Sequence, residues 1–305
     1  MLNLFALQLL NGVQYGLLLF LIAAGLTLIL GIMDVVNLGH GVLYMLGAFL
    51  MVSATAATGN FWLGLLLVLP ATLLIGLVLE RLLFRPLYAR SHLDQVLATF
   101  GLVLAVTEVC RMIWGNSPLS VAMPTALSGS VPLIAGVQFP VYRLVIIGTG
   151  LAVALGLYLV IGHTRIGMRL RAGATHRGIL SALGVDVGRL FALVFAFGAM
   201  LAGFAGAIVA PLLSVDTGMG EAVLITTFVV VVIGGIGSVR GAFVAALLVG
   251  SVDTLGRSFG PLMLAKIMDP ATAAQAGRTL APMLVYLLMA AILAVRPAGL
   301  FGRPA

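Results

Sequence analysis

Charge is what this chain has least of: Asp, Glu, Lys and Arg together make up 8% of its 305 residues. Lysine occurs once, as Lys266, and cysteine once, as Cys110. A lone cysteine inside an apolar run excludes a disulfide framework, a thiolate cluster or a redox pair. The four histidines, His40, His92, His163 and His176, show no metal-ligand spacing, so neither a metal nor another cofactor is expected. The single lysine follows "PLMLA", which leaves no Gly-Lys-Ser/Thr loop to cradle a nucleotide's phosphates. The chain is therefore not expected to hydrolyse ATP or to be an enzyme. Residues 1–80 contain no Lys or Arg, and residues 115–140 carry no charge at all.

What fills the space is apolar. Hydrophobic residues reach 62% and the mean hydropathy is +1.23, well beyond the roughly 45 to 50% of a soluble domain. The expected fold is a single all-α polytopic membrane domain over residues 1–305. A span needs about 20 apolar residues, and candidates run over 5–31, 42–57, 61–80, 95–114, 141–162, 190–211, 222–238, 241–257 and 281–295. That gives nine, or eight if a short pair is re-entrant or merged. The first run has no cation before it and exceeds a secretory signal's apolar core of about 7 to 15 residues, so it reads as a permanent helix.

The net charge of +7 sits in the breaks between these runs, not along one face, which is an orientation signal and no footprint for nucleic acid. Arg81, Arg85 and Arg90 share one break, and Arg165, Arg169, Arg171, Arg177 and Arg189 share another. Both breaks are expected in the cytoplasm, which puts the N-terminus outside and the C-terminal Arg296 and Arg303 inside. Residues 257–280, with Arg257, Lys266 and Arg278, then fall outside as a loop.

The second break is "HTRIGMRLRAGATHRGILSALGVDVGR", residues 163–189. An arginine at the bilayer centre costs about 2.5 to 3.5 kcal/mol, so these side chains must reach water. Pinning topology and touching lipid headgroups would account for the charges alone. The length of the stretch suits more: Ala172, His176, Ile179 and Leu183 share one helical face, Gly184 has the place of a C-cap glycine, and Asp186 can cap the next helix. Such a helix is suited to docking onto another protein.

The stretch resembles the cytoplasmic coupling segment of permeases from bacterial ABC importers, in particular the branched-chain (hydrophobic) amino acid uptake family. "NLGHGVLYMLGAF" at 37–49, "VVVVIGGIGSVRGAFVAALLVG" at 229–250, "RPAGLFGR" at 296–303 and the shorter "LERLLFRPL" at 79–87 follow the same family's pattern in its order. The resemblance implies a bacterial inner-membrane permease working with a second permease, two cytoplasmic ABC ATPases and a periplasmic substrate-binding protein. It also makes Arg165, Gly167, Arg169, Arg171, Ile179, Leu183 and Gly184 the candidates for ATPase coupling.

Two glycine-bounded breaks are candidates for the substrate path. Gly234, Gly235, Gly237 and Gly241 surround Ser238, and without a lysine this stretch reads as a helix break, tolerated in a bilayer only where it is buried or lines a cavity. "GIMDVVNLGHG" at 31–41 repeats the pattern: Asn37 and His40 either face the path, with Gly41 starting a new helix, or belong to a solvent-facing turn. Asp34 receives no role. Glu108 and Arg111, spaced to pair on one helix face beside Trp114, read either as a snorkelling ion pair or as a substrate contact. Stripes of small residues at Gly12 and Gly16, at Gly198, Ala202 and Gly206, and at Ala199 and Gly203 predict close helix packing, with the partner helix left open. An ion-coupled secondary transporter is the main rival; it would need a membrane-embedded acid, and Glu108 is the midspan candidate for that part. Within the family, leucine-like amino acids, urea, short amides and aromatic acids are all substrates to consider.

Overall fold

The computed structural model describes residues 2–132, 138–175 and 177–302; His176 and Arg303 therefore lie outside the described residues. It is an all-α polytopic membrane protein. Eight described helices are long and apolar enough to cross a membrane, and a ninth, Met219–Gly234, is shorter. In chain order the helices are α1 (Leu2–Met33), α2 (His40–Thr58), α3 (Phe61–Leu79), the short α4 (Arg85–Leu87), α5 (His92–Trp114), α6 (Val141–His163), α7 (Arg165–Thr175), α8 (Arg177–Ala182), α9 (Val187–Val209), α10 (Met219–Gly234), α11 (Val239–Leu264) and α12 (Pro270–Val295).

Local chemistry sets most of the boundaries. Gly59, at φ 65°, ends α2, and the Asn60 side chain accepts from the Trp62 and Leu63 amides to start α3, so the connection is a tight turn. Ser91 and Asp94 form a reciprocal capping box at α5. Asp186, Ser238 and Asp269 cap α9, α11 and α12. Asp34 adopts φ 53°, a left-handed conformation that Asp tolerates, and thereby terminates α1. Strands β1 (Ser130–Pro132) and β2 (Gln138–Pro140) pair antiparallel between α5 and α6, with Ser130 opposite Pro140.

The core is built on α1 and α9, whose most apolar windows are 89% and 72% buried, against 11% for α5 and 12% for α12. Glycine lets the central helices touch backbone to backbone. Gly25 meets Gly198 across α1 and α9, Gly47 meets Gly203 across α2 and α9, and Gly76 of α3 meets Ala196 and Ala199. Gly12 and Gly16 lie against Ser251 and Ala246 of α11. The partner helices of the small-residue stripes are thus internal.

One expectation is corrected, and one of two alternatives falls away. The polar loop expected over 257–280 shrinks to residues 265–269, because α11 runs to Leu264 and α12 starts at Pro270. Arg257 is absorbed into the helix by pairing with Asp253 one turn earlier, Nε to Oδ2 at 2.8 Å, and the Asp269 cap with Pro270 behind it starts α12 early. The connection between α1 and α2 is also no solvent-facing turn: Asn37 and His40 are both fully buried. It climbs along α5, with the Val36 amide donating to Gln95 Oε1 (3.1 Å) and the Leu38 amide to Thr99 Oγ1 (3.3 Å). The His40 ring then reaches the Ile22 carbonyl at 3.1 Å, and Ile22 lies about 16 Å along the helix from Met33 at 1.5 Å per residue. The α2 helix therefore starts inside the helix layer.

Candidate functional site

The turn between α10 and α11 is the convergence point of the fold. Four of its positions are glycine, and there backbone meets backbone. Gly235 (φ 96°) and Gly237 (φ 82°) take conformations that glycine alone adopts cheaply. Gly234 packs on Gly241, Gly237 on Gly31 at the end of α1, and Gly235 on Gly302. The C-terminal segment after α12 lies across this turn, where the Leu300 amide donates to the Ile233 carbonyl (2.8 Å) and the Phe301 amide to the Gly234 carbonyl (3.1 Å). Ser238 closes the turn by accepting from the Gly241 amide at 3.1 Å. The helix break expected over 234–241 is present: α10 stops at Gly234 and α11 begins at Val239.

Beside the turn opens a cleft of about 1070 Å³ between α1, α6, α7 and α11. Gly237 and Ser238 line it with Thr27, Tyr158, Arg171 and Arg240. The Arg240 guanidinium stands 5.0 Å from the centre of the Tyr158 ring. Arg171 donates to the Ile161 carbonyl at the end of α6, so this cation ties α7 to the cleft wall. Gly237 and Ser238 of the break and one of the expected coupling arginines therefore share one cavity.

Asn37, His40 and Gly41 lie away from it. Gly41 packs on the Gly220 carbonyl, so the first turns of α2 and α10 cross there without an intervening side chain. Because a carbonyl only accepts, His40 must donate from Nε2, which leaves Nδ1 as an acceptor. Neither His40 Nδ1 nor either polar atom of Asn37 has a partner among the described residues, although all are buried. Unmet buried polar groups cost about 1 to 3 kcal/mol each, which marks this connector as a polar spot the fold does not use for its own stability.

The expected coupling segment is helical over Arg165–Thr175 (α7) and Arg177–Ala182 (α8), on either side of His176, which lies outside the described residues. Thr164 caps α7, its hydroxyl accepting from the Gly167 amide at 3.1 Å, and Gly167 sits where a Cβ would strike the Val160 and Ile161 carbonyls. Leu170 and Leu180 turn into the core, while Arg165 and Arg169 are exposed. Leu183 is 75% exposed, and the Ile179 side chain lies outside the described residues. Gly184 (φ 81°) ends the segment: its amide bonds the Ser181 carbonyl and that of Val185 the Leu180 carbonyl, the paired bonds of a glycine C-cap. Ile166 and Met168 of α7 are 59% and 58% exposed; two residues apart, they fall outside the four-residue spacing that begins at Ala172 and point to different sides of the helix.

Glu108 is not buried within the bundle: it lies on the outward face of α5, 3.3 Å from Arg111, and both side chains are exposed from the protein. Among the described residues, the buried acids are Asp253, near the middle of α11, and Glu80. Glu80 lies in a π-turn, Glu80–Phe84, the extra residue of which rolls its carboxylate inward to meet Arg85 (3.2 Å) and the Tyr88 hydroxyl (2.8 Å). An acid followed five residues later by Arg is out of α-helical register, so sequence spacing hides this pair; Asp253 and Arg257, four apart, were visible. Tyr88→Phe leaves Glu80 one donor short, and a loss of about 1.5 to 3 kcal/mol is expected, read as a lower melting temperature of the purified protein in detergent.

Comparison with known proteins adds the family. The sequence description of the branched-chain amino acid transport system permease component matches residues 8–295. The chain is 28% identical to the high-affinity branched-chain amino acid transport system permease protein BraD of Pseudomonas aeruginosa, over 97% of this chain and 95% of that protein. It is 27% identical to the permease protein LivH of Salmonella typhimurium, over 98% and 96%, and 24% identical to a probable LivH of Methanocaldococcus jannaschii, over 80% and 79%. No solved structure matches the chain.

Proposed function

We propose a role that starts from one established premise: the chain belongs to the family of permease components of branched-chain amino acid transport systems. In this reading it is one permease subunit of a bacterial ABC importer. With a second permease it forms the path for branched-chain or related amino acids through the inner membrane. Two ABC ATPases dock on α7 and α8, and a periplasmic binding protein delivers cargo at the other end. In this reading the N-terminus is outside and the C-terminus cytoplasmic, which the arginine-rich breaks support.

The observation that carries the reading is the placement of α7. It bears exposed cations and the exposed apolar side chains of Ile166 and Met168, and through Arg171 it forms part of the wall of the cleft that Gly237 and Ser238 line. A force applied to α7 from the cytoplasm would reach the helix break directly. Co-purification of both ATPases with this chain, and leucine uptake by the reconstituted complex only when ATP is supplied, is the expected result; uptake driven by a proton gradient with no ATPase present would overturn it in favour of an ion-coupled carrier. Asp253 is the observation on that rival's side, since it is a buried acid at midspan. Its pairing with Arg257 speaks against it as a free proton site.

Asn37, His40 and Gly41 belong to the path in this proposal, reached when the α1–α2 connector and the crossing of α2 with α10 open. Asn37→Leu and His40→Leu should each reduce uptake about tenfold while the protein still inserts, the loss of one buried polar contact being worth about that factor. Normal uptake by both variants, measured with radiolabelled leucine at matched membrane levels, rules the connector out of the path.

A further inference from the structure

The cleft and the coupling helices occupy one end of the bundle, and Ser238 marks that end of α11. The same helix carries a second polar feature in its other half. Asp253 is buried, its side chain 10% exposed, while that of Arg257, bound to it through Nε at 2.8 Å, is 51% exposed. Tyr15 of α1 lies within electrostatic reach of both and next to Thr226 of α10. Tyr44 of α2 lies within reach of Tyr15 and of Asp216 in the connection to α10. Four helices thus turn polar groups toward one spot inside an otherwise apolar bundle. An Arg and an Asp facing lipid here would be costly, and such pairs in spans generally face the protein interior or a water-filled cavity.

We propose that Asp253, Arg257, Tyr15 and Thr226 form a subsite for the zwitterionic head of an α-amino acid on its way through the membrane. The inference rests on the permease reading above and adds the residues that meet the cargo's charges. The chemistry is complementary: the carboxylate takes the terminal nitrogens of Arg257 and the Tyr15 hydroxyl, and the ammonium takes Asp253. Because both the dyad and the cargo are net neutral, the site never carries an uncompensated charge, loaded or empty. An apolar side chain on the cargo needs no partner beyond the surrounding aliphatic residues.

The rival account is a structural ion pair that merely holds α11 straight. The two differ under charge reversal. In vesicles holding the complete complex with its ATPases and binding protein, Asp253→Asn and Arg257→Gln are each expected to lower uptake of radiolabelled leucine about tenfold or more, the loss of one charged hydrogen bond. The double variant D253R/R257D restores the pair: it should regain the wild-type melting temperature and binding-protein-stimulated ATPase rate, yet transport no better than the single variants, since the charges now sit in the wrong order for the cargo. Uptake regained by the double variant overturns the subsite and leaves a clamp. Should the charge variants not assemble, Thr226→Val decides: a severalfold loss of uptake without a change in melting temperature supports the subsite, and unchanged uptake overturns it. Wild-type vesicles in the same assay separate the two levels of inference, because absence of leucine uptake there removes the permease reading itself.

Discussion

Gly206→Val is expected to leave no folded protein in the membrane. Gly206 sits in α9 where the backbone of α2 crosses it, and a Cβ there would overlap the Tyr44 carbonyl and stand 3.0 Å from the Ala48 amide nitrogen. Neither obstacle is the flexible end of a side chain, so relief requires the two helices to part. Overpacking a core costs about 1 to 3 kcal/mol even where side chains can shift. Here separation also undoes the neighbouring contact of Gly47 with Gly203, and any shift of α9 disturbs the contact of Gly203 with Thr72 of α3. A total stability on the order of 5 to 15 kcal/mol does not survive several such losses. Gly101→Ala in α5 is the control, because no atom lies within 4 Å of its Cβ position and that face of the helix is exposed. Fluorescence-detected gel filtration of tagged variants should show a monodisperse peak for Gly101→Ala and none for Gly206→Val; a normal peak for the latter would mean that the α2–α9 crossing is not a fixed contact.

The second large effect concerns coupling. Changing Ile179 and Leu183 together to Asp is expected to release the ATPases and abolish transport without disturbing insertion. Leu183 already lies 75% exposed at the end of α8, so an Asp there costs the isolated chain little. Two apolar anchors buried at a docking site contribute roughly 1.5 to 3 kcal/mol each, so losing both weakens binding by roughly two to four powers of ten. An exposed cation at the rim contributes about 0 to 1 kcal/mol, and removing Arg169 alone should be almost silent. Arg171→Gln has a different expectation from that of a rim charge, since it detaches α7 from the Ile161 carbonyl and should loosen coupling while ATPase binding persists. Pull-down of the ATPases with each variant, beside a protease test of orientation, distinguishes docking from topology alone; ATPase binding by the double Asp variant at the wild-type level would refute the docking role.

Much of this architecture is legible from composition and punctuation. Every candidate span corresponds to a helix, and Gly184, Asp186 and the break before Val239 act as local chemistry predicts, because caps and left-handed glycines depend on a few adjacent residues. What sequence could not give is depth. Nothing in "MDVVNLGHG" says that the connector folds back along α5 instead of lying in water, since that depends on Gln95 and Thr99, about sixty residues away in the chain. Nor does the spacing of Glu80 and Arg85 betray a π-turn, whose extra residue is invisible to a period of 3.6. Asp253 shows a different failure. It was readable as an acid within an apolar run, but its importance comes from Tyr15 and Thr226 on two other helices, a convergence that only the tertiary fold supplies.

The segment lying across the α10–α11 turn has a consequence for how the protein is made. Ile233 and Gly234 receive their donors from Leu300 and Phe301, and Gly235 is covered by Gly302, all of which follow α12 in the chain. A ribosome delivers α10 and α11 well before them, so the turn must wait in the translocation machinery with its carbonyls unclaimed until synthesis has passed α12. Completion of the helix break is therefore a late event in biogenesis, and it makes the turn a report on whether the whole chain has been inserted. A chain stopped at residue 295 would hold every span and still lack the clasp that fixes its central break.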